Sequence, residues 1–267
     1  MTLVVCPTPI GNLEDVTLRV LRELGEADIV LCEDTRRTKT LLDRHGVAAR
    51  LISYHRHNEA RRVGEVLTRL EASERVALVS DAGLPGVNDP GARVVAAALE
   101  KGFEVTVLPG PSAVETALVA SGLVGERYAF VGYLPRRARG RESLWEETAG
   151  WSWPVVAFES PQRLPASLAS LASFDPGRPV AVCRELTKRF EEVVRGTAGD
   201  VAAQFAEPPK GEVTLVIGAG AGKADASSDG MAAVAELVAA GVPRRRAADI
   251  VARLTGLSRN ELYRSSL

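Results

Sequence analysis

Three short segments concentrate glycine and proline beside side chains that can bind a ligand: CPTPIGN (6–12), SDAGLPG (80–86) and LPGPSA (108–113). Each follows an apolar run of strand character. In a parallel sheet all three therefore emerge at the carboxyl edge, where open α/β folds bind ligands. Glycine permits positive φ and close backbone approach, and proline stiffens a loop without offering an N–H. The chemistry this allows is recognition of a small polar organic ligand by main-chain groups, with Asp81 beside them. Asp81 either meets such a ligand's ammonium or hydroxyls or caps the loop backbone. Ser112 and Glu115 stand at capping-box spacing, so a helix starts at the same edge. Nucleotide fingerprints are absent: there is no G-x-x-x-x-G-K-[ST], and the GAGAG at 218–222 opens no helical pattern. No nucleophile elbow points to serine hydrolysis.

The elements that position these loops are legible in the apolar spacing. Leu3–Cys6, Ile29–Cys32, Leu51–Ser53, Val76–Val79 and Glu104–Leu108 read as strands alternating with helices, which implies a mostly parallel sheet. Leu13, Val16, Val20, Leu21 and Leu24 fall at helical spacing, Asn58 is placed to cap the next helix, and Asp89–Pro90 to start another that ends before Gly102. From residue 111 to about 218 the strand-like runs YAFVGYL, PVVAFE, PVAVCRE, FEEVVRG and VTLVI crowd together, with helices around 112–120, 161–172 and 199–206. This reads as a second α/β domain with a mixed sheet. The domain plan is thus 1–110, 111–218, a Gly/Ala/Ser-rich linker at 219–229, and a helical tail at 230–267 of helix-turn-helix character, with Ser258 and Glu261 as a capping box.

Composition narrows the class. The 267 residues are 46% hydrophobic, enough for more than one core, and the net charge of -1 is no general signature of a nucleic-acid binder. Cys6, Cys32 and Cys183 are far apart, and His45, His55 and His57 add no metal-ligand spacing, so no metal is expected. Isolated cysteines, no evident signal peptide and no apolar run near the ~20 residues of a membrane span imply a cytoplasmic protein with no membrane partner.

PTPIGNLED, SDAGLPGVNDPG and LPGPSA resemble the signature loops of the tetrapyrrole methylase superfamily, and in particular its ribosomal RNA branch. EDTRRT (33–38), ESPQRL (159–164), RELTKRFEE (184–192) and KGEVTLVI (210–217) extend the resemblance through nearly the whole chain. Cys-Pro-Thr-Pro-Ile-Gly-Asn stands where the precorrin branch carries G-x-G-P-G. The resemblance implies two α/β domains with a ligand crevice between them, a small C-terminal helical unit, and a homodimer. It implies S-adenosylmethionine as methyl donor and 2'-O-methylation of a cytidine ribose in the decoding region of 16S rRNA, naked or in the small ribosomal subunit. The alternatives are methylation of a tetrapyrrole and a metabolite-sensing DNA-binding regulator. In this picture Pro9, Asp81, Gly83, Pro85, Val87, Ser112, Ala113 and Phe158 bind the donor, SDAGLPG wrapping its methionine and ribose through backbone groups. Gln162, where the family often has histidine, has no proton-transfer role, and Phe190 offers a ring.

Methyl transfer to a ribose hydroxyl is an in-line displacement in which positioning supplies much of the acceleration. The hydroxyl proton must leave, and Glu185, Lys188 and Glu159 are the candidate bases from the matched motifs. RNA contacts are expected from basic islands in a near-neutral chain: Arg36 and Arg37; Tyr54 and His55 with their neighbouring arginines; Arg136, Arg137, Arg139 and Arg141 on a glycine-containing loop; and Arg244 and Arg245. Tyr54 and His55 offer rings for stacking on an unpaired base.

Overall fold

The computed structural model describes residues 2–220 and 223–265. The chain forms two compact units, Met1–Ala117 with Arg184–Glu192, and Leu118–Cys183 with Val193–Leu267.

The first unit alternates β1 (Thr2–Val5), α1 (Leu18–Glu26), β2 (Ile29–Cys32), α2 (Thr35–Arg44), β3 (Leu51–Ser53), α3 (Glu59–Glu71), β4 (Val76–Leu78), α4 (Ala92–Glu100) and β5 (Glu104–Val107). Its five strands lie in the order β3-β2-β4-β1-β5, and every neighbouring pair is parallel. Successive residues of each strand face opposite sides. Val4 and Cys6 join Val20, Leu24, Leu41 and Leu42 in one buried cluster, while Leu3 and Val5 join Val66, Leu70, Val94 and Ala98 in another. Helices thus cover both faces, which is why the central strands β1, β2 and β4 read as apolar runs. The five carboxyl ends share one edge.

Local signals explain most boundaries. The spacing from Leu13 to Leu24 is divided: a 3-10 turn at Leu13–Asp15 precedes α1, whose Thr17 N-cap accepts a hydrogen bond from Val20 N–H. Asn58 occupies the N-cap of α3 but makes no capping bond. Its Oδ1 accepts from His55 N–H at 2.8 Å instead, and its amide donates to the Ser53 carbonyl. The expected start at Asp89–Pro90 moves to Gly91, the N-cap of α4. Helix α2 leaves little periodic signal in the sequence, because TRRTKTLLDR carries only a short apolar stripe.

Helix α5 (Ala113–Ser121) leads into β6 (Ala129–Tyr133), α6 (Ala138–Thr148), β7 (Val155–Glu159), α7 (Leu164–Phe174), β8 (Pro179–Arg184), β9 (Glu192–Thr197), α8 (Ala198–Gln204) and β10 (Val213–Ile217). The sheet runs β6-β7-β10-β8-β9 and is mixed, with β6 parallel and β10 antiparallel to β7. Trp145, Leu164, Leu168, Leu171 and Val201 fill the core beneath it. Arg178, 2% exposed, donates from Nε to the Gly218 carbonyl and from Nη2 to the Thr148 carbonyl, closing the end of α6 against the end of β10.

The tail is α9 (Lys223–Ala239), α10 (Arg244–Thr255) and α11 (Arg259–Ser265). Val234, Ala247, Ala248, Val251 and Leu262 give it a core of its own. Gly256 ends α10 in the left-handed conformation expected of a C-terminal break. The stretch expected as a linker is helical from Lys223, because its glycines stop at Gly222 and alanine and lysine favour helix beyond it. Residues 221 and 222 of that stretch, and the Glu261 side chain of the expected capping box, lie outside the described residues.

Candidate active site

The loop at 6–12 is a hub of the first unit. Thr8 and Gly83 form an antiparallel bridge, each N–H donating to the other's carbonyl at 2.9 Å. The Thr8 hydroxyl donates to the Ser80 carbonyl at 3.0 Å. Gly83, at φ 76°, sits where other residues are strained. Gly110 packs so closely on Pro7 that a Cβ there would stand 2.4 Å from the ring. Gly11 packs equally closely on Leu186, Thr187 and Lys188, and Asn12 N–H donates to the Thr187 hydroxyl at 3.0 Å. Four segments distant in sequence thus meet at one sheet edge. A cavity of ≈ 350 Å³ opens there, lined by Ile10, Asp15, Thr17, Gly110, Pro111, Thr116 and Thr187.

The expected donor residues divide. Pro9, Gly83 and Pro85 are buried, and Val87 is exposed. Gly83 does not offer its backbone to a ligand, since both polar groups serve Thr8 and its carbonyl also accepts from Ser80 Oγ. Asp81 takes the loop-holding role: Oδ1 accepts from Asp34 N–H at 2.9 Å and Oδ2 lies 3.5 Å from Arg37. Ser112 donates to Glu115, the pairing the capping box implies, and Ala113 opens α5. Phe158, on β7, packs edge-on against Phe130 and Tyr133.

The three candidate bases differ sharply. Glu159 is buried and its carboxylate is occupied: Oε1 accepts from Ser160 N–H and meets Arg163 at 2.5 Å, while Oε2 accepts from Ser167 at 2.6 Å. That is a structural carboxylate, holding the β7–α7 connection, and the base role is withdrawn. Lys188 Nζ donates to Glu185 Oε1 at 2.8 Å, a pairing that favours the ammonium, the wrong form for a base. Glu185 keeps a partly exposed carboxylate, on a backbone at φ 51°, and Thr187 follows at φ 63°. Two left-handed non-glycine residues in three positions mark a segment held by its surroundings. Burial pushes Cys6 up to about 12 and Cys32 up to about 11, away from the thiolate at neutral pH.

The basic islands also separate. Tyr54 is 1% exposed, its hydroxyl bonded to Glu59, so it offers no ring for stacking. The apolar run ending at Ser53 carries it into the core. His55 is half-buried, its backbone and ring held by Asn58. Arg36 forks onto Asp34, holding that carboxyl well below the usual range. Arg136, Arg137 and Arg139 are exposed at the start of α6. Arg141 is 8% exposed and donates to the Pro135 and Arg136 carbonyls, so it shapes that corner instead of facing RNA. A helix, not a loop, organises this island. At the start of α10 Arg244 is half-buried and Arg245 exposed.

Sequence reading missed an acidic group at the same edge. Burial and the charges of Glu33 and Asp81 push Asp89 up to about 6, with Arg56 opposing. Burial and Asp81 also raise Glu33, against His55, Arg56 and Arg37. Both acids stand inside the motifs EDTRRT and SDAGLPGVNDPG; the available signal was Glu33 in one strand-end loop and Asp81 and Asp89 in the adjacent one. Among the described residues no cluster of His, Cys, Asp and Glu could hold a metal ion, and no helix is long and apolar enough to cross a membrane.

Residues 2–202 match the family Tetrapyrrole (Corrin/Porphyrin) Methylases, and residues 224–267 match the RsmI C-terminal HTH domain. The chain belongs to the tetrapyrrole methylase family, whose members depend on S-adenosylmethionine. Within it, the chain is similar over nearly its whole length to proteins named ribosomal RNA small subunit methyltransferase I. That of Mesorhizobium japonicum is 42% identical over 263 residues, 97% of this chain and 89% of the relative. That of Escherichia coli O157:H7 is 38% identical over 270 residues, 99% and 94% respectively. The fold is shared with uroporphyrin-III C-methyltransferase from Thermus thermophilus, solved with S-adenosyl homocysteine (TM-score 0.56, 20% identity, 81% of this chain and 96% of that one). A cobalt precorrin-4 methyltransferase is also similar (TM-score 0.59, 18% identity, 81% and 94%).

The raised Asp89 carboxyl has a measurable consequence. The folded state holds a proton that the unfolded state releases from about pH 4, so Asp89 costs stability as pH rises through about 6. Asp89→Asn should therefore melt a few degrees higher than the parent at pH 8, the gap closing toward pH 4. An equal gap at both values, followed by calorimetry, would show that Asp89 is not crowded by charge.

Proposed function

We propose that this chain is an S-adenosylmethionine-dependent methyltransferase that 2'-O-methylates a cytidine ribose in the decoding region of 16S rRNA. The observation that carries this reading is the meeting of four motif segments around the 6–12 loop, in a chain whose relatives carry that name. The donor brings a sulfonium methyl group, the electrophile that an alcohol attacks. Its net positive chemistry fits an edge where Glu33, Asp81 and Asp89 crowd one another, because a bound cation relieves their repulsion.

The chain's own residues then have defined tasks. The loops at 79–91 and 108–113, tied to 6–12, hold the donor on Pro9, Pro85, Val87 and Ala113, while Asp81 and Ser112 keep the loops in shape. Asp81 does this through Asp34, and Ser112 through Glu115. Glu185 accepts the proton of the 2'-hydroxyl, and Lys188 keeps it ionised through their 2.8 Å contact. Arg136, Arg137 and Arg139, exposed beside one another, meet RNA phosphates, and Arg245 does so from the tail. Cysteines that form no disulfide suit the cytoplasm. A homodimer is the assembly the family likeness suggests.

Incubation with methyl-labelled S-adenosylmethionine and either naked 16S rRNA or small subunits, followed by nuclease mapping, should place the label on one cytidine ribose. Label on a base, or transfer only to a porphyrinoid, would contradict the proposal. Replacing Arg136, Arg137 and Arg139 together by alanine should leave donor affinity intact and flatten the slope of log affinity against log salt by roughly one unit for each phosphate that the variant no longer neutralises. An unchanged slope would make these arginines an ordinary solvated surface.

A further inference from the structure

The 79–91 loop contains four residues at positive φ, Gly83, Gly86, Asn88 and Gly91. A path so far from ordinary backbone preferences needs anchors outside itself. One anchor is Thr8, at Gly83. The other is Glu59, the first residue of α3, which belongs to none of the loop motifs. Its Oε1 accepts from Gly91 N–H at 3.1 Å and from the Tyr54 hydroxyl at 3.1 Å, while Oε2 lies 3.9 Å from Arg93 Nε. Gly91 is the N-cap of α4 and has no side chain to cap with. Glu59 therefore caps α4 from a neighbouring helix, with its charge at the positive end of the α4 dipole. Tyr54, buried and wedged between strand and helix, fixes the carboxylate's orientation.

We propose that Glu59 is a positioning residue for methyl transfer: by holding Gly91 it sets the shape of residues 84–90, which carry Pro85, Val87 and Asp89 toward the donor. The proposal rests on the methyltransferase function proposed for the chain. Gly91 cannot drift without cost, since its Cα is hemmed by Leu78 Cδ2 and Gly86 N, at 3.0 and 3.2 Å from an added Cβ, and Gly86 N–H donates to the Pro90 carbonyl at 3.2 Å. Release of the Gly91 N–H thus loosens the whole turn from Gly86 to Gly91.

The test compares Glu59→Ala, Glu59→Asp and Glu59→Gln with the parent in methyl transfer and in donor titration. The amide of Glu59→Gln still presents Oε1 to both donors and should stay within about threefold of the parent in KM for S-adenosylmethionine. Glu59→Ala removes the acceptor and Glu59→Asp, one methylene shorter, withdraws it. Both should raise that KM roughly tenfold or more, the cost of leaving a buried N–H without its acceptor, with kcat at saturating donor and RNA affinity little changed. Equal KM in Glu59→Asp and Glu59→Gln overturns the proposal. If Glu59→Ala does not fold, Glu59→Asp and hydrogen exchange of the Gly91 amide in the parent decide it: slow exchange without donor is expected, and fast exchange overturns the clamp. A parent protein that binds no S-adenosylmethionine overturns the functional reading itself, and the proposal with it, whatever the Gly91 amide does.

Discussion

Two hydrogen bonds of 2.9 Å between Thr8 and Gly83 join the loops that leave β1 and β4, and the site's geometry follows from that junction. β1 and β4 are neighbours in a parallel sheet, so the loops leave side by side and have unpaired backbone groups to satisfy. Pairing them to each other lets a glycine-rich loop hold a fixed path without side chains of its own. The same hub then accepts Gly110 against Pro7, and Leu186, Thr187 and Lys188 against Gly11, at distances that leave no space for a Cβ. A loop built in this way is rigid because it is crowded.

Charge is arranged less comfortably. Glu33, Asp81 and Asp89 repel one another at the edge where the loops emerge, and the arginines nearby compensate unevenly. Arg36 is committed to Asp34 and Arg37 leans on Asp81. Elsewhere Glu159 is occupied by Ser160, Arg163 and Ser167, and Arg178 donates to two carbonyls. Acidic charge crowded where the loops emerge suits a site that takes a cationic ligand.

Much of this was legible in the residues. The central parallel strands β1, β2 and β4 were visible because they are buried on both faces, leaving runs such as IVLC with no polar interruption, and the tail's helical breaks were visible at Gly241-Val242-Pro243 and Gly256. The three loops were visible because glycine and proline have few other uses at strand ends. What could not be read was partnership. Tyr54 looks available beside a basic island, yet Glu59, five residues on, claims its hydroxyl in the core. Arg141 looks like its neighbours, but a helix starting at Ala138 turns it inward to two carbonyls. Glu159 sits in a matched motif, and only Ser167, eight residues away on α7, shows that its carboxylate is spent on structure. Side-chain direction depends on helix phase and tertiary neighbours, neither of which residue type reveals.

The central claim is that the crowded contacts of the 6–12 loop create the donor site, and calorimetric titration of S-adenosylmethionine tests it most directly. The titration compares the parent with Gly110→Ala, whose Cβ would stand 2.4 Å from Pro7, and with Gly64→Ala on α3, where nothing lies within 4 Å. The account predicts affinity in the micromolar range for the parent and for Gly64→Ala, and a loss of roughly tenfold or more, about 1.4 kcal/mol, for a folded Gly110→Ala. Equal affinity in all three proteins would contradict it.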